Sequence, residues 1–401
     1  MRILLLFLLL FMQAAWASPR EIDTHRWEGV ERVVAIGDVH GDYDNYIQTL
    51  QAAGVVNRRG RWTAGETHLV QIGDVPDRGP DTLQIIRHLS RLATQAQRAG
   101  GRVHHLIGNH EAMNVSGDLR YVDPGEYQAF VTRDSRRFRE RYFDALMSHL
   151  REQDPERYAG LPADFREQWE VSHPLGWVEH RLAWDPRVNP EGELYQWVMS
   201  SPVAVQLNDL VFVHGGISAD YCRYDLDALT GMVHQALKLE EDFHDGVWFD
   251  ETGPLWYRGL AGFEPETPPE VVKAILDRYQ ARHIVIGHTP TSGIIWPRYH
   301  GGVIMVDVGM AAYYGGHIAW LEVSEGQLIA GYPEGRLVLP LRDEARLDYL
   351  ERVIEIQPDN PRLQQRRQQL LEEGQQAASA GQSGARTEAP DHQEAICGSW
   401  P

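Results

Sequence analysis

Arg32-Val33-Val34-Ala35-Ile36-Gly37-Asp38-Val39-His40-Gly41 is an apolar run that reaches a glycine and then presents a carboxylate and an imidazole two residues apart. An unbroken Val/Ile/Ala stretch of this length, bounded by Gly, is the signature of a buried strand. On extended chain, residues i and i+2 face the same side, so Asp38 and His40 can hold one ion together. The construction recurs four times: Leu69 to Ile72 runs into Asp74, Val103 to Ile107 into Asn109 and His110, Leu210 to Val213 into His214, and Ile284 to Ile286 into His288. Ligands of open α/β sheets gather at the carboxyl ends of strands. Five such ends therefore predict one convergent site.

Each piece alone has an ordinary explanation, because Gly-Asp after a strand serves turn geometry and a single His beside an apolar run needs no ligand. The joint pattern is what points to a two-metal hydrolytic centre. Two divalent ions ~3.5–4 Å apart need a bridging carboxylate, and Asp74 stands alone at the end of its strand for that role. Asn109 brings a neutral oxygen to the second ion, and His214 and His288 complete it. An oxygen and imidazole set without thiolate suits Mn, Fe or Zn in a working site better than a structural zinc.

The motifs GDVHG (37–41), GDVPDRG (73–79), GNHE (108–111), HGG (214–216) and GHT (287–289) together resemble the metallophosphoesterases of the calcineurin-like superfamily, in its phosphoprotein phosphatase branch. Within that branch the chain looks like the Shewanella-like phosphatases, bacterial-type relatives of the protein serine/threonine phosphatases. Softer matches at Trp62, His173 to Glu179 and Val306 to Met310 extend the resemblance over residues 31–323. It implies a metallophosphoesterase-type layered β-sandwich of the α/β class, flanked by helices and carrying a mostly helical insertion. It places Asp38, His40 and Asp74 on the first metal and Asp74, Asn109, His214 and His288 on the second. His110 matches the general acid, paired with Asp77, while Arg78 and Arg258 match the arginines that hold phosphate, alongside Asn109. Two positions depart from the pattern. Pro290 stands where other metallophosphoesterases carry a second His, which argues against the nuclease and phosphodiesterase branches. Pro76, inside the second motif, is expected to stiffen its loop without displacing a ligand.

These parts imply hydrolysis by water activated between two divalent ions, manganese first and iron or zinc as alternatives, with His110 protonating the leaving group. No phosphoenzyme is required. The expected substrate is a phosphoprotein, phosphopeptide or small phosphomonoester, with phosphotyrosine at least as well suited as phosphoserine by the resemblance. A dinucleoside-polyphosphate or nucleotide hydrolase is the alternative enzyme, and a periplasmic binding protein with a relict site the alternative class.

The formal net charge of −19 on 401 residues argues against a nucleic-acid partner. Met1-Arg2, an apolar run of about ten residues and Ala15-Trp16-Ala17 read as a signal peptide over residues 1–17, too short for a membrane span. The mature chain is then expected to be exported, with no stable membrane anchor, and the periplasm is the first choice. An exported chain can join its two cysteines, but Cys397 falls in a tail expected to be mobile, so this reading is against a Cys222–Cys397 bond. Asn114-Val115-Ser116 is a formal glycosylation sequon without expected consequence.

Leu83 to Ala96 and Val271 to Tyr279 carry apolar stripes of helical period. A catalytic domain is therefore expected over residues 18–340, with a helical insertion at 118–200 beside the site mouth. A helical extension follows at 341–373, whose LERVIEIQPDNPRL resembles half of a tetratricopeptide repeat. Residues 374–401, poor in large apolar side chains, are expected to be disordered.

Overall fold

The computed structural model describes residues 20–23, 25–239, 246–380 and 396–398; the leader read at 1–17 lies outside them. Its strands form two mixed sheets. The six-stranded sheet runs in the order Gly335–Val338, Gln327–Tyr332, Trp320–Ser324, Arg32–Ile36, His68–Gln71, Arg102–His105, and the last three are mutually parallel. The seven-stranded sheet runs Arg20–Asp23, Arg26–Glu28, Ala204–Leu207, Leu210–Val213, His283–Ile286, Val303–Met305, Trp296–Arg298. Here Leu210–Val213, His283–Ile286 and Val303–Met305 form the parallel trio. Val34, Ile36, Leu69 and Val70 of one sheet and Val211, Phe212, Val285 and Ile304 of the other are fully buried in one continuous apolar core. All five expected strands are present, and the unbroken apolar runs of Val33 to Ile36, Leu210 to Val213 and Ile284 to Ile286 follow from burial on both faces.

Helices cover the sheets where the apolar stripes predict them, at Thr82–Arg98 and Pro269–Tyr279. The insertion is mostly helical, as six helices from Pro124–Gln128 to Glu193–Met199. Its foot is pinned by buried polar groups: Glu126 accepts from Thr82 Oγ1 at 2.8 Å and lies 3.2 Å from His180 Nε2.

The C-terminal extension packs onto the catalytic unit. Tyr349 donates its hydroxyl to Ile295 O at 2.9 Å, and the turn between helices Arg346–Ile356 and Pro361–Ala380 holds the loop after GHT through Gln357 Nε2 to Gly293 O and Asn360 Nδ2 to Ser292 O, both 2.8 Å. The second helix continues to Ala380, past the boundary read at 373. The expectation against a disulfide is corrected: Cys222 and Cys397 are bonded, with Cys397 buried against the core. Composition misleads here because it registers local hydrophobicity and says nothing of a covalent link between residues 175 apart. No described helix is long and apolar enough to cross a membrane.

Candidate metal centre and active site

The two parallel trios end side by side, and their loops touch through glycines. A Cβ on Gly108 would lie 2.2 Å from Asp74 Oδ1, and one on Gly287 would lie 2.5 Å from Asp38 Oδ1. Only glycine permits these approaches. His40 (φ 48°), Asp74 (56°), Asp77 (73°), Arg78 (66°) and His288 (63°) all lie in the left-handed region. Non-glycine residues adopt it rarely, and a cluster of them marks a place where surrounding structure enforces strain for function. The enforcing contacts are visible. Glu111, fully buried, accepts the backbone N–H groups of Asp74 (2.9 Å), Val75 (2.8 Å) and Gly108 (2.8 Å), while Val39 and His40 both donate their backbone N–H to Asp74 O at 3.0 Å.

Three imidazoles are each tied at one nitrogen by a backbone carbonyl. His40 Nδ1 is 3.0 Å from Pro76 O, His214 Nδ1 is 2.9 Å from Ile72 O, and His288 Nε2 is 3.2 Å from Trp256 O. Donation to that carbonyl leaves the other nitrogen of each ring with a free lone pair, the arrangement that prepares His for a metal. His214 Nε2 then faces Asn109 Oδ1 at 3.0 Å and Asp74 Oδ2 at 3.3 Å, and His40 Nε2 faces Asp74 Oδ2 at 3.7 Å and Asp38 Oδ2 at 3.9 Å. Lone pairs confronting oxygens repel unless a cation lies among them. Two groups are compact enough to do this, His40 with Asp74 and His110, and Asp74 with His214 and His288, and Asp74 belongs to both. Asp38 adjoins the first group, its carboxylate also receiving the His288 N–H at 3.1 Å.

The electrostatics agree. Burial, then Asp307 and Asp74, push Asp38 well above the usual carboxylate range. Asp307 itself is pushed up to about 6, first by burial. Burial drives the His40 imidazole down to about 4 and His288 well below its ordinary value, so both are neutral donors at physiological pH. Buried carboxylates facing neutral imidazoles form a site that divalent cations stabilise.

His110 is set apart by its partner. Its Nδ1 lies 2.5 Å from Asp77 Oδ2, and Asn114 Nδ2 donates to the other Asp77 oxygen at 2.9 Å. Burial opposes its protonation, but Asp74 and Asp77 outweigh burial and raise its pKa. The ring is thereby biased toward its protonated form, with Nε2 3.9 Å from Asp74 Oδ2. The two arginines are anchored differently. Arg258 donates from Nη1 to His288 O (2.8 Å) and Thr289 Oγ1 (2.9 Å), whereas the Arg78 guanidinium lies over the Tyr121 ring at 3.9 Å and the Tyr313 ring at 4.6 Å.

Residues 31–292 match the family model described as calcineurin-like phosphoesterase. The chain belongs to that family. Shewanella-like protein phosphatase 2 of Arabidopsis thaliana is 30% identical over 315 residues, covering 75% of this chain and 77% of that protein. An uncharacterised protein of Schizosaccharomyces pombe is 32% identical over 305 residues, 73% and 77% of the two chains. Among solved structures, the cold-active protein-tyrosine phosphatase of a psychrophilic Shewanella species superposes with a TM-score of 0.59 at 27% identity, over 80% of this chain and 83% of that one. The resemblance read from the motifs is therefore borne out. As a calcineurin-like phosphoesterase the protein is a metal-dependent phosphatase acting on phosphorylated substrates.

Of the residues carried over from this family, Asp38, His40, Asp74, Asp77, Asn109, His110, His214, Arg258 and His288 surround one centre, and Arg78 flanks it through Tyr314, whose ring lies 5.9 Å from Arg78 and 5.2 Å from the His40 ring. Three others were given no role from sequence. Asp307 follows the third parallel strand of the seven-stranded sheet and lies within the field of Asp38 and Asp74; the run Val303-Ile304-Met305 ending in Asp307 carries the same signal as the other five. Glu111, inside GNHE, works through backbone N–H groups of a distant loop. Asn114, read as a sequon residue, is 1% exposed and holds Asp77.

Proposed function

We propose that this protein is an exported phosphomonoesterase of the protein phosphatase type, acting on phosphorylated side chains of proteins or peptides. The observation that carries it is the carboxylate Asp74, shared between His40 on one side and His214 and His288 on the other, with the Asp77-bound His110 beside it. Asp38, His40 and Asp74 would hold one ion, and Asp74, Asn109, His214 and His288 the other. Divalent ions held there would make water nucleophilic near neutral pH and neutralise phosphate oxygens. Manganese is the metal we assign, iron and zinc being compatible with the same donors. Arg78 and Arg258 orient the phosphate, and planar guanidinium suits its paired oxygens. His110 Nε2–H passes a proton to the departing oxygen, and Asp77 keeps the ring charged and turned toward it.

The relative of solved structure is named a protein-tyrosine phosphatase and the plant relative a protein phosphatase, which supports a polypeptide substrate over a dinucleoside polyphosphate. A relict binding site has no support, since acid, arginines and donor set are all in place. For export, the apolar leader at 1–17 and the Cys222–Cys397 bond point the same way, because disulfides persist in oxidising compartments; the periplasm is the compartment we assign. A panel of phosphotyrosine and phosphoserine peptides and diadenosine tetraphosphate, assayed with Mn, tests the reading. Turnover of the peptides is expected; turnover of the dinucleotide alone would refute it.

A further inference from the structure

Arg78 is held in an unusual way for a buried-side cation. Among the described residues no carboxylate pairs with it, and its Nε is buried without a hydrogen-bond partner. Aromatic rings take the place of the carboxylate. Tyr121 comes from the foot of the insertion, its carbonyl accepting the Arg78 backbone N–H at 3.0 Å, and its ring also lies 5.3 Å from that of His110. Tyr313 and Tyr314 come from the short helix Ala312–Tyr314 beyond the third parallel strand. The Tyr314 ring lies 5.2 Å from His40 and 5.9 Å from Arg78, and burial raises its phenol to about 12, so it stays a neutral donor. A cation over ring faces is stabilised without being neutralised, and so keeps its full charge for an incoming anion.

Tyr313 differs from the other two. It is 63% exposed, a large ring left in solvent at the lip of a buried metal centre, against Tyr314 edge-on at 4.9 Å. The phosphate of an aryl ester held by Arg78 is joined to its ring through a single oxygen. The ring of the ester must then lie within reach of whatever flanks Arg78, and offset or edge-to-face contact with Tyr313 stabilises it. An alkyl ester such as phosphoserine has no ring to make that contact. On the far side of Tyr313 the surface opens into a groove of about 640 Å³, bordered by His317, Gln357 and Arg362, which gives room for a polypeptide carrying the phosphorylated residue.

We propose that Tyr313 is a specificity-determining residue that favours aryl phosphates, phosphotyrosine in a polypeptide being the substrate that fits. The proposal rests on the phosphatase reading above and adds the choice of side chain.

The experiment compares kcat/KM of the Mn-loaded full chain for two peptides identical except for phosphotyrosine or phosphoserine, in wild type, Tyr313→Ala and Tyr313→Phe, with inhibition by inorganic phosphate measured in each. Tyr313→Ala is expected to lower the phosphotyrosine-to-phosphoserine ratio of kcat/KM about tenfold, the size of one aromatic contact, any loss common to both peptides reporting the ring's support of Arg78. Tyr313→Phe, which keeps the ring, should stay within about twofold of wild type on both peptides and in phosphate inhibition. Equal losses on the two peptides, in step with weakened phosphate inhibition, would mean that Tyr313 serves only to hold Arg78 and would overturn the proposal. So would no loss at all. A wild-type chain that hydrolyses neither peptide refutes the phosphatase reading itself, a different result from a wild type that works with an indifferent Tyr313.

Discussion

His110 Nδ1 and Asp77 Oδ2 stand 2.5 Å apart, both buried, with Asn114 closing the other side of the carboxylate. Burial opposes protonation of the His110 ring, and Asp74 together with this Asp77 contact outweighs it and raises the pKa from 6.5.

The first expectation concerns leaving groups. An alkoxide departs poorly without a proton whereas a nitrophenolate does not need one, so His110→Asn should slow phosphoserine turnover by ~10²–10⁴-fold and p-nitrophenyl phosphate by clearly less. Asp77→Asn should follow the same order more mildly. Steady-state kinetics on the two substrates decide it; equal slowing with metals retained would make His110 a phosphate-positioning group.

The same pair sets a pH dependence. A raised pKa keeps His110 protonated to higher pH, so the alkaline limb of kcat/KM for phosphoserine should lie above 6.5. Removing the Asp77 charge in Asp77→Asn should move that limb to lower pH, because the interaction favouring the charged ring is weakened. A pH profile whose alkaline limb does not move would contradict this.

Glu111 offers a test of how the strained loop is held. Its two oxygens accept three backbone N–H groups, and in Glu111→Gln one oxygen becomes a donor facing donors. Leaving a buried N–H unsatisfied costs ~1–3 kcal/mol, so denaturant unfolding should show a loss of that size together with weaker metal retention. Unchanged stability and metal content would show that the turn at Asp74 is held by other contacts.

The disulfide makes a further expectation. The native chain should yield no free thiols until reduced, and Cys397→Ser should lower stability by ~2–4 kcal/mol while leaving kcat near wild type. Two titratable thiols in protein isolated from its own compartment would remove the bond. In the same protein, N-terminal sequencing should begin at or near Ser18, and a chain beginning at Met1 would overturn the export reading.

How much of this was legible depended on whether the cause was local. Strand ends such as Ile36 to His40 and Ile284 to His288 could be read because burial on both faces writes an apolar run and a ligand writes a polar residue just after it. The positive φ angles at Asp74 and His288 could not, since nothing in Asp or His asks for them and the enforcing partners, Glu111 and the glycine contacts, come from remote loops. Tyr121 and Tyr313 lie 192 positions apart and meet only through Arg78. The Cys222–Cys397 bond was likewise hidden, because the composition around Cys397 resembles a chain with nothing to bury.

The central claim is that Asp74 joins two ions in one catalytic centre, and metal stoichiometry read alongside turnover tests it most directly. Elemental analysis of the wild-type chain should give two divalent ions, with phosphopeptide turnover lost on chelation and restored by Mn. Asp74→Asn should lose both ions and His40→Ala mainly one. Full turnover in metal-free protein, or two tightly held ions in Asp74→Asn, would contradict the account.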